Sequence, residues 1–540
     1  MKSECIPFSQ IPHTTKLFAD FLAADPKLQN FYPRSPFFTS WLKDESAKVE
    51  YDAGRRQQVH AVLERQNRSW NASPRTLENL ARFSNGALTV VTGQQVGLFG
   101  GPEFSIFKAL TAVRMAELAT KDGIDCVPVF WLATEDHDLA EINHTTLLAS
   151  DGALHTLTVP TSGVEDAPVG TIVFGEEINV VVEQAAKLLG EGEIADALRQ
   201  SYRVGETFGS AFARLFARLF AEQGVILLDA RDPELHRIAK PIYTAAGERA
   251  AELNFALLER GKAIESAGYH QQVKITSSST LLFDMGSGSR IPVHRYPNGR
   301  EGNGEFVVGD KKLSRSSLLQ RIQEAPQDFS ANVLLRPVLQ DFLLPTLTYS
   351  GGAAEIAYFA QASVAYRAIL GRVTPVVPRF SATLVEQKAQ SLMEKYGLRL
   401  PDFFRGEEAL REFLAARALP PGLQTAFAGA TASLERSLNE VRGALAQLDP
   451  TLVDSSRISE SKMRYQLNKI RARAARAELR KTEVLSRHAQ RLSNSIYPNR
   501  TLQERAIGGI SMLARIGPQL LDDLYRTLNP DCVGHQVIRL

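Results

Sequence analysis

The stretch from Ala87 to Glu103 constrains this chain most. Leu88 to Val91 are apolar or β-branched and read as a buried strand. Gly93, Gly97, Gly100 and Gly101 follow in a glycine-rich turn, and Pro102 suits the first position of a helix. Ile106, Phe107, Leu110, Val113 and Leu118 then recur near helical spacing. Gly123 stops the helix before a second apolar strand, Cys126–Ala133. A strand, a helix and a strand in that order form the crossover of a parallel sheet. The first strand ends in Thr92, Gly93, Gln94 and Gln95, the second in Thr134, Glu135, Asp136, His137 and Asp138. Open α/β sheets bind ligands at the carboxyl ends of their strands, so the two ends predict one shared site.

The pattern resumes further on. A helix from Phe208 to Gln223 precedes the strand Val225–Asp229, and Asp232, Pro233 and Glu234 open another helix. Ser330–Asp341 reads as a further buried strand running on toward Pro345. Tyr349–Gly352 leads into a helix carrying Glu355 and Tyr358, and Pro375–Arg379 follows. The predicted fold is α/β. It has a Rossmann-like parallel-sheet core over 1–380 with an N-terminal helical region, and two small inserted segments at about 145–200 and 268–313. Turns at Ser277–Ser279, Gly286–Ser289 and Pro297–Gly299 punctuate the second insertion. Leu434, Leu438, Val441, Leu445 and Leu448 form a heptad seam, repeated by Met463, Leu467, Ile470, Ala474 and Ala477 after Asp449 and Pro450. This predicts a C-terminal antiparallel α-helical coiled coil over 381–498, with a helical tail over 499–540.

Bulk properties narrow the function classes. With 62 basic and 60 acidic residues, no global field recruits nucleic acid or an anionic membrane. No apolar run approaches the roughly 18 residues of a membrane span, and the N-terminus lacks a signal-peptide core. Three scattered cysteines, Cys5, Cys126 and Cys532, argue against a disulfide framework and fit a reducing cytoplasmic setting.

Each polar cluster carries more than one reading. The glycine turn has neither Walker A nor dinucleotide spacing, so it is a plain tight turn or an anion-friendly one. Gln94 and Gln95 favour a ligand. Glu135–Asp138 is a solvated helix start, a general-base site or, with Glu141 and His144, a metal-binding helix face; no metal is predicted. Arg336 and Arg379 are carboxylate clamps or structural ion-pair partners. Ten basic residues between Lys462 and Arg491 face only Glu478 and Glu483, as a solvated coiled-coil face or a polyanion surface.

Together these stretches resemble the cysteine ligase family of bacillithiol biosynthesis known as BshC. The matching residues are Thr92–Pro102, Val127–Asp138 with Glu141–His144, Asn332–Pro337 with Gln340 and Asp341, Tyr349–Gly352 with Glu355–Tyr358, Pro375–Ser381 and Leu502–Arg505. The resemblance implies a homodimer through the coiled coil, with cysteine and glucosaminyl malate as substrates and no nucleic-acid or membrane partner. It also implies amide formation between the cysteine carboxyl and the glucosamine amine, with ATP or ADP as the nucleotide. Neither His-x-Gly-His nor Lys-Met-Ser-Lys-Ser, the motifs of nucleotidyl-transferring synthetases, is present. In this reading Glu135, Asp136, His137 and Asp138 supply the base and orient the amine. Thr92, Gly93, Gln94, Gln95, Gly97, Gly100 and Gly101 bind substrate, with Asn332, Gln340, Asp341, Tyr349, Glu355 and Tyr358, while Arg336 and Arg379 hold carboxylates. The rival reading is a non-catalytic, nucleotide-binding dimeric scaffold.

Overall fold

The computed structural model describes residues 2–161, 166–296, 305–417, 419–481 and 483–540. Five strands make the core sheet: β1 (Leu88–Gln94), β2 (Cys126–Leu132), β3 (Ile226–Asp229), β4 (Thr346–Gly351) and β5 (Val376–Pro378). All neighbours are parallel, in the spatial order β3-β2-β1-β4-β5. This is the doubly wound order, and the winding reverses between β1 and β4. A crevice opens outside the carboxyl ends of those two strands.

The core helices are α1 (Phe104–Lys121), α2 (Phe208–Leu219), α3 (Pro233–Glu248), α4 (Arg336–Leu343) and α5 (Ala353–Leu370). Strand residues alternate between them. Val90, Cys126, Leu347 and Val377 pack on Ala112, Met115 and Ala116 of α1. Their neighbours Val91, Val127 and Val376 join Val338 of α4 and Ile356 and Phe359 of α5 on the opposite face. With both faces covered, the strands read as continuous apolar runs, and each buried Val or Leu contributes about 1.5–3 kcal/mol. The free edge of β3 is closed by the helix Ala53–Ser69: Asn67 exchanges hydrogen bonds with the Leu227 backbone and Gln66 with that of Asp229. Two side-chain amides thus replace a sixth strand.

The structure corrects the strand expected at 330–341. Only Phe329–Ala331 is extended, and it joins a different sheet. Asn332 then accepts the N–H groups of Leu334 and Leu335, turning the chain into α4. A short apolar run does not distinguish a buried strand from a buried helix. The second insertion forms an antiparallel sheet in the order Lys311–Leu313, Phe306–Val308, Ile291–Arg295, Ser279–Asp284, Phe329–Ala331. The turn expected at Pro297–Gly299 lies outside the described residues. The first insertion holds a hairpin, His144–Leu148 with Leu154–Thr158, and the helices Glu177–Leu189 and Glu193–Ser201.

The chain divides into two compact units. One comprises 1–150, 154–383 and 504–538, the other 151–153, 384–503 and 539–540. The tail expected as a separate helical piece therefore contributes 504–538 to the core unit, and it ends in a strand, His535–Arg539. In the second unit, helices Pro421–Leu448 and Leu452–Lys481 pair through Arg442 with Glu460 and Glu435 with Arg464, an antiparallel register. Leu434, Leu438, Leu445 and Leu467 are half-buried. Met463 and Ile470, expected in the seam, are 47% and 57% exposed. Val453, Ser456 and Glu460 are half-buried on the same helix, beside Leu467. The side chains of Arg476 and Glu478 lie outside the described residues. Among those described, no helix is long and apolar enough to cross a membrane. The cysteines also depart from expectation: Cys5 and Cys532 form a disulfide with Cα atoms 6.1 Å apart, while Cys126 is buried and free.

Candidate functional site

The crevice between β1 and β4 opens into a cavity of about 330 Å³ lined by Gly93, Gln94, Gln95, Arg336, Tyr349, Glu355, Tyr358 and Arg379. Eight residues expected at a substrate site are thus brought together by the ends of β1, β4 and β5 and the starts of α4 and α5. Gly93 has a steric reason: a Cβ there would lie 2.9 Å from the Trp131 carbonyl oxygen of the neighbouring strand. The rest of the glycine turn does not line this cavity. The N–H groups of Gly97, Gly100 and Gly101 donate to Gln95 O, the Tyr202 hydroxyl and Leu98 O. The turn is tightly closed, since a Cβ on Gly97 would meet the Gly101 Cα at 2.9 Å. Helix α1 begins beyond it at Phe104, because Pro102 bridges to Gly508 instead of opening the helix.

The cavity floor is an ion network. Lys108, buried on α1, donates to Gly93 O at 2.6 Å and Gln94 Oε1 at 2.9 Å and pairs with Glu355 at 2.7 Å. Burial pulls its ammonium down to about 8 against the opposing pull of Glu355. Glu355 caps α5 by accepting the Gly352 N–H at 2.7 Å and also accepts the Tyr349 hydroxyl. Burial would raise its carboxyl, but Lys108 and the Gly352 N–H outweigh it and hold the carboxyl low. Arg336 donates to Gln340 at 3.1 Å and the Tyr358 hydroxyl at 2.9 Å, neutral partners, with Glu355 of the same cavity acting on its charge without a hydrogen bond. Arg379 is different. It is buried and donates twice to Glu504, at 2.8 and 3.1 Å, a bidentate pair. Arg505 lines the same cavity with its guanidinium 6.0 Å from the Phe104 ring centroid.

A second cavity of about 420 Å³ shares Trp131, Ala133 and Arg336 with the first. Glu135, Asp136, Arg290 and Asn332 line it. Glu135 is buried, 3.1 Å from Nε2 of the buried His236, whose Nδ1 lies 3.1 Å from the Tyr243 hydroxyl. Asp136 accepts from Gln95 Nε2 at 2.8 Å and from Arg290 at 3.3 Å. Arg290 also donates to His137 Nδ1 at 3.3 Å and Ala331 O at 2.9 Å. Receiving that bond makes Nδ1 the acceptor, so the neutral ring carries its proton on Nε2.

Other expected residues hold the site from behind. Thr92 donates to Ser350 O, joining β1 to β4. Gln340 and the buried Asp341 lie behind Arg336, where Asp341 receives Thr374 and burial raises its carboxyl. Asn332 starts α4, and Asp138 caps the short helix Leu139–Ile142 by accepting the Glu141 N–H at 3.2 Å. That helix excludes His137 and His144, so the helical face that would hold a metal is not formed. Lys108, His236 and Arg290 were not singled out, and Arg505 stood only at the end of the matching stretch Leu502–Arg505, with no role at the site. The one readable signal was Lys108, a lone cation in the apolar stretch Ile106–Leu110.

A doubly wound sheet with polar cavities at its switch point, followed by a paired-helix arm, defines an α/β enzyme of the Rossmann-like class. A family model described as the bacillithiol biosynthesis BshC N-terminal Rossmann-like domain matches residues 1–380, and its C-terminal coiled-coil domain counterpart matches 382–540. The chain belongs to the BshC family. It is 47% identical to the "Putative cysteine ligase BshC" of Koribacter versatilis (strain Ellin345) over 100% of both chains. The proteins of that name from Solibacter usitatus (strain Ellin6076) and Salinibacter ruber (strain DSM 13855 / M31) are 36% and 32% identical, covering 100% of both chains and 97% and 96% respectively.

Proposed function

We propose that this protein is a cytoplasmic ligase that joins the carboxyl group of cysteine to the glucosamine amine of glucosaminyl malate, the last step of bacillithiol synthesis. The observation that carries this reading is the junction of two cavities at Arg336: one also carries Lys108, Arg379 and Arg505, and the other presents Glu135 and Asp136 beside Arg290 and Lys274. The cationic cavity suits the malate end, with Arg336 as a clamp that no carboxylate hydrogen-bonds. The amine, beyond Trp131, then meets Glu135 and Asp136 on the second cavity's wall; in this reading they and His137, which lines neither cavity and is held by Arg290, supply the base and orient the nitrogen lone pair toward the carbonyl carbon. Amide formation from a free carboxylate needs an activating group, and the reading takes ATP or ADP as the nucleotide involved. The glycine turn, with three of its N–H donors bonded internally, is a poor fit for its phosphates.

The test is incubation of the purified protein with glucosaminyl malate, cysteine and ATP, with bacillithiol followed by mass spectrometry. Wild type makes product, and Asp136→Asn loses at least about tenfold in kcat/KM, roughly 1.4 kcal/mol of transition-state stabilisation. Nucleotide binding without cysteine-dependent product would instead favour a non-catalytic scaffold.

A further inference from the structure

Of the two arginines expected to clamp carboxylates, one is already committed. Arg379 gives both terminal nitrogens to Glu504, and this carboxylate also accepts the Ser381 hydroxyl at 2.9 Å and the Ala382 N–H at 3.0 Å. A cation so matched offers little net charge to a ligand. The next residue along the chain is Arg505. Among the described residues its guanidinium donates to no acceptor, and its side chain is exposed on the cavity wall beside Phe104.

The backbone on either side is fixed. Glu504 is about 1% exposed, the Ile507 carbonyl accepts the Glu103 N–H at 2.9 Å, and Gly508 donates to Thr146 O at 2.8 Å. Arg505 is therefore a fork with no hydrogen-bonded partner, acted on at longer range by Glu504 and Glu355, on an immobilised segment, the arrangement that loses least entropy when an anion binds. The same short segment neutralises the deeper arginine and adds an open one, which moves the available positive charge outward from Arg379.

We propose that Arg505 is a specificity-determining residue that reads the second carboxylate of a dicarboxylate ligand, with Arg336 engaging the first. This rests on the reading that the cationic cavity takes the malate end of the substrate, but not on the ligase reaction. It explains how a site can prefer a two-carboxylate hydroxy acid to a one-carboxylate one: the monoacid leaves the Arg505 fork unpaired.

The experiment is isothermal titration of the full chain with L-malate, L-lactate and ADP, for wild type, Arg505→Gln and Arg505→Lys. Wild type prefers malate to lactate by about ten- to a hundredfold, the range of a charge-assisted hydrogen bond. Arg505→Gln removes most of that preference while lactate binding changes less than about twofold, and Arg505→Lys restores part of it by keeping the charge without the fork. Equal weakening toward both acids, a loss confined to ADP, or no malate binding by wild type at millimolar concentration overturns the proposal. Because cysteine and product are absent from the titration, a chain that discriminates through Arg505 yet makes no bacillithiol sinks the ligase reading and leaves this one standing.

Discussion

Lys108 shows what a single buried charge does for this site. Its three donors are all used, on Gly93, Gln94 and Glu355, so it fixes the strand end to the start of α5. Its ammonium titrates near 8, below the ordinary lysine value. Between those two values the unfolded chain binds more protons than the folded one, so this group's contribution to stability rises with pH across the window. Below about 8 both states are protonated and the penalty is constant. Urea melts should therefore show wild type gaining on Lys108→Met from pH 8 to 10, by on the order of 2 kcal/mol; a pH-independent difference contradicts the assignment. Glu504→Gln strands Arg379 as a buried uncompensated cation and should cost about 3–5 kcal/mol in the same melts. Gln94 and Gln95 at a strand end and Glu355 in the first turn of α5 were legible because sheet topology collects them, whereas Arg336 was expected within a strand and stands at the start of α4. Arg290 and Arg505 were not legible as site residues, because an inserted sheet and a distant tail deliver them, and no local spacing records where such segments dock.

At the scale of elements, the insertion is part of the machinery. Arg290 precedes a strand of the antiparallel sheet and reaches Asp136, His137 and Ala331 at once. Arg290→Ala should lower kcat of the proposed ligation by at least about tenfold while the fold persists, since it releases the groups that orient the amine. An unchanged kcat would make the insertion a spectator. The paired helices of the arm were legible from their heptads, but the inward-facing residues only in part: Leu434, Leu438, Leu445 and Leu467 are half-buried, while Val441, Leu448, Met463 and Ile470 are exposed. Polar Glu460 takes a half-buried position through its pairing with Arg442, leaving Met463 and Ile470 outside. We propose that these two belong to a homodimer interface. Light scattering coupled to gel filtration should give a dimer for wild type and a monomer for Met463→Lys with Ile470→Lys; two monomers, or two dimers, count against it.

For the molecule as a whole, the β3-β2-β1-β4-β5 order explains why residues more than two hundred positions apart share one crevice. The bond between Cys5 and Cys532 spans 527 residues and joins the beginning of the chain to its end. Two isolated cysteines at opposite termini gave no spacing from which to read it. Residues 5–532 are therefore one closed covalent loop. A ring can be opened once without falling apart. A single protease cut in the exposed helices between Pro421 and Lys481 should leave one full-length band on a gel run without reductant and two fragments when a thiol is added.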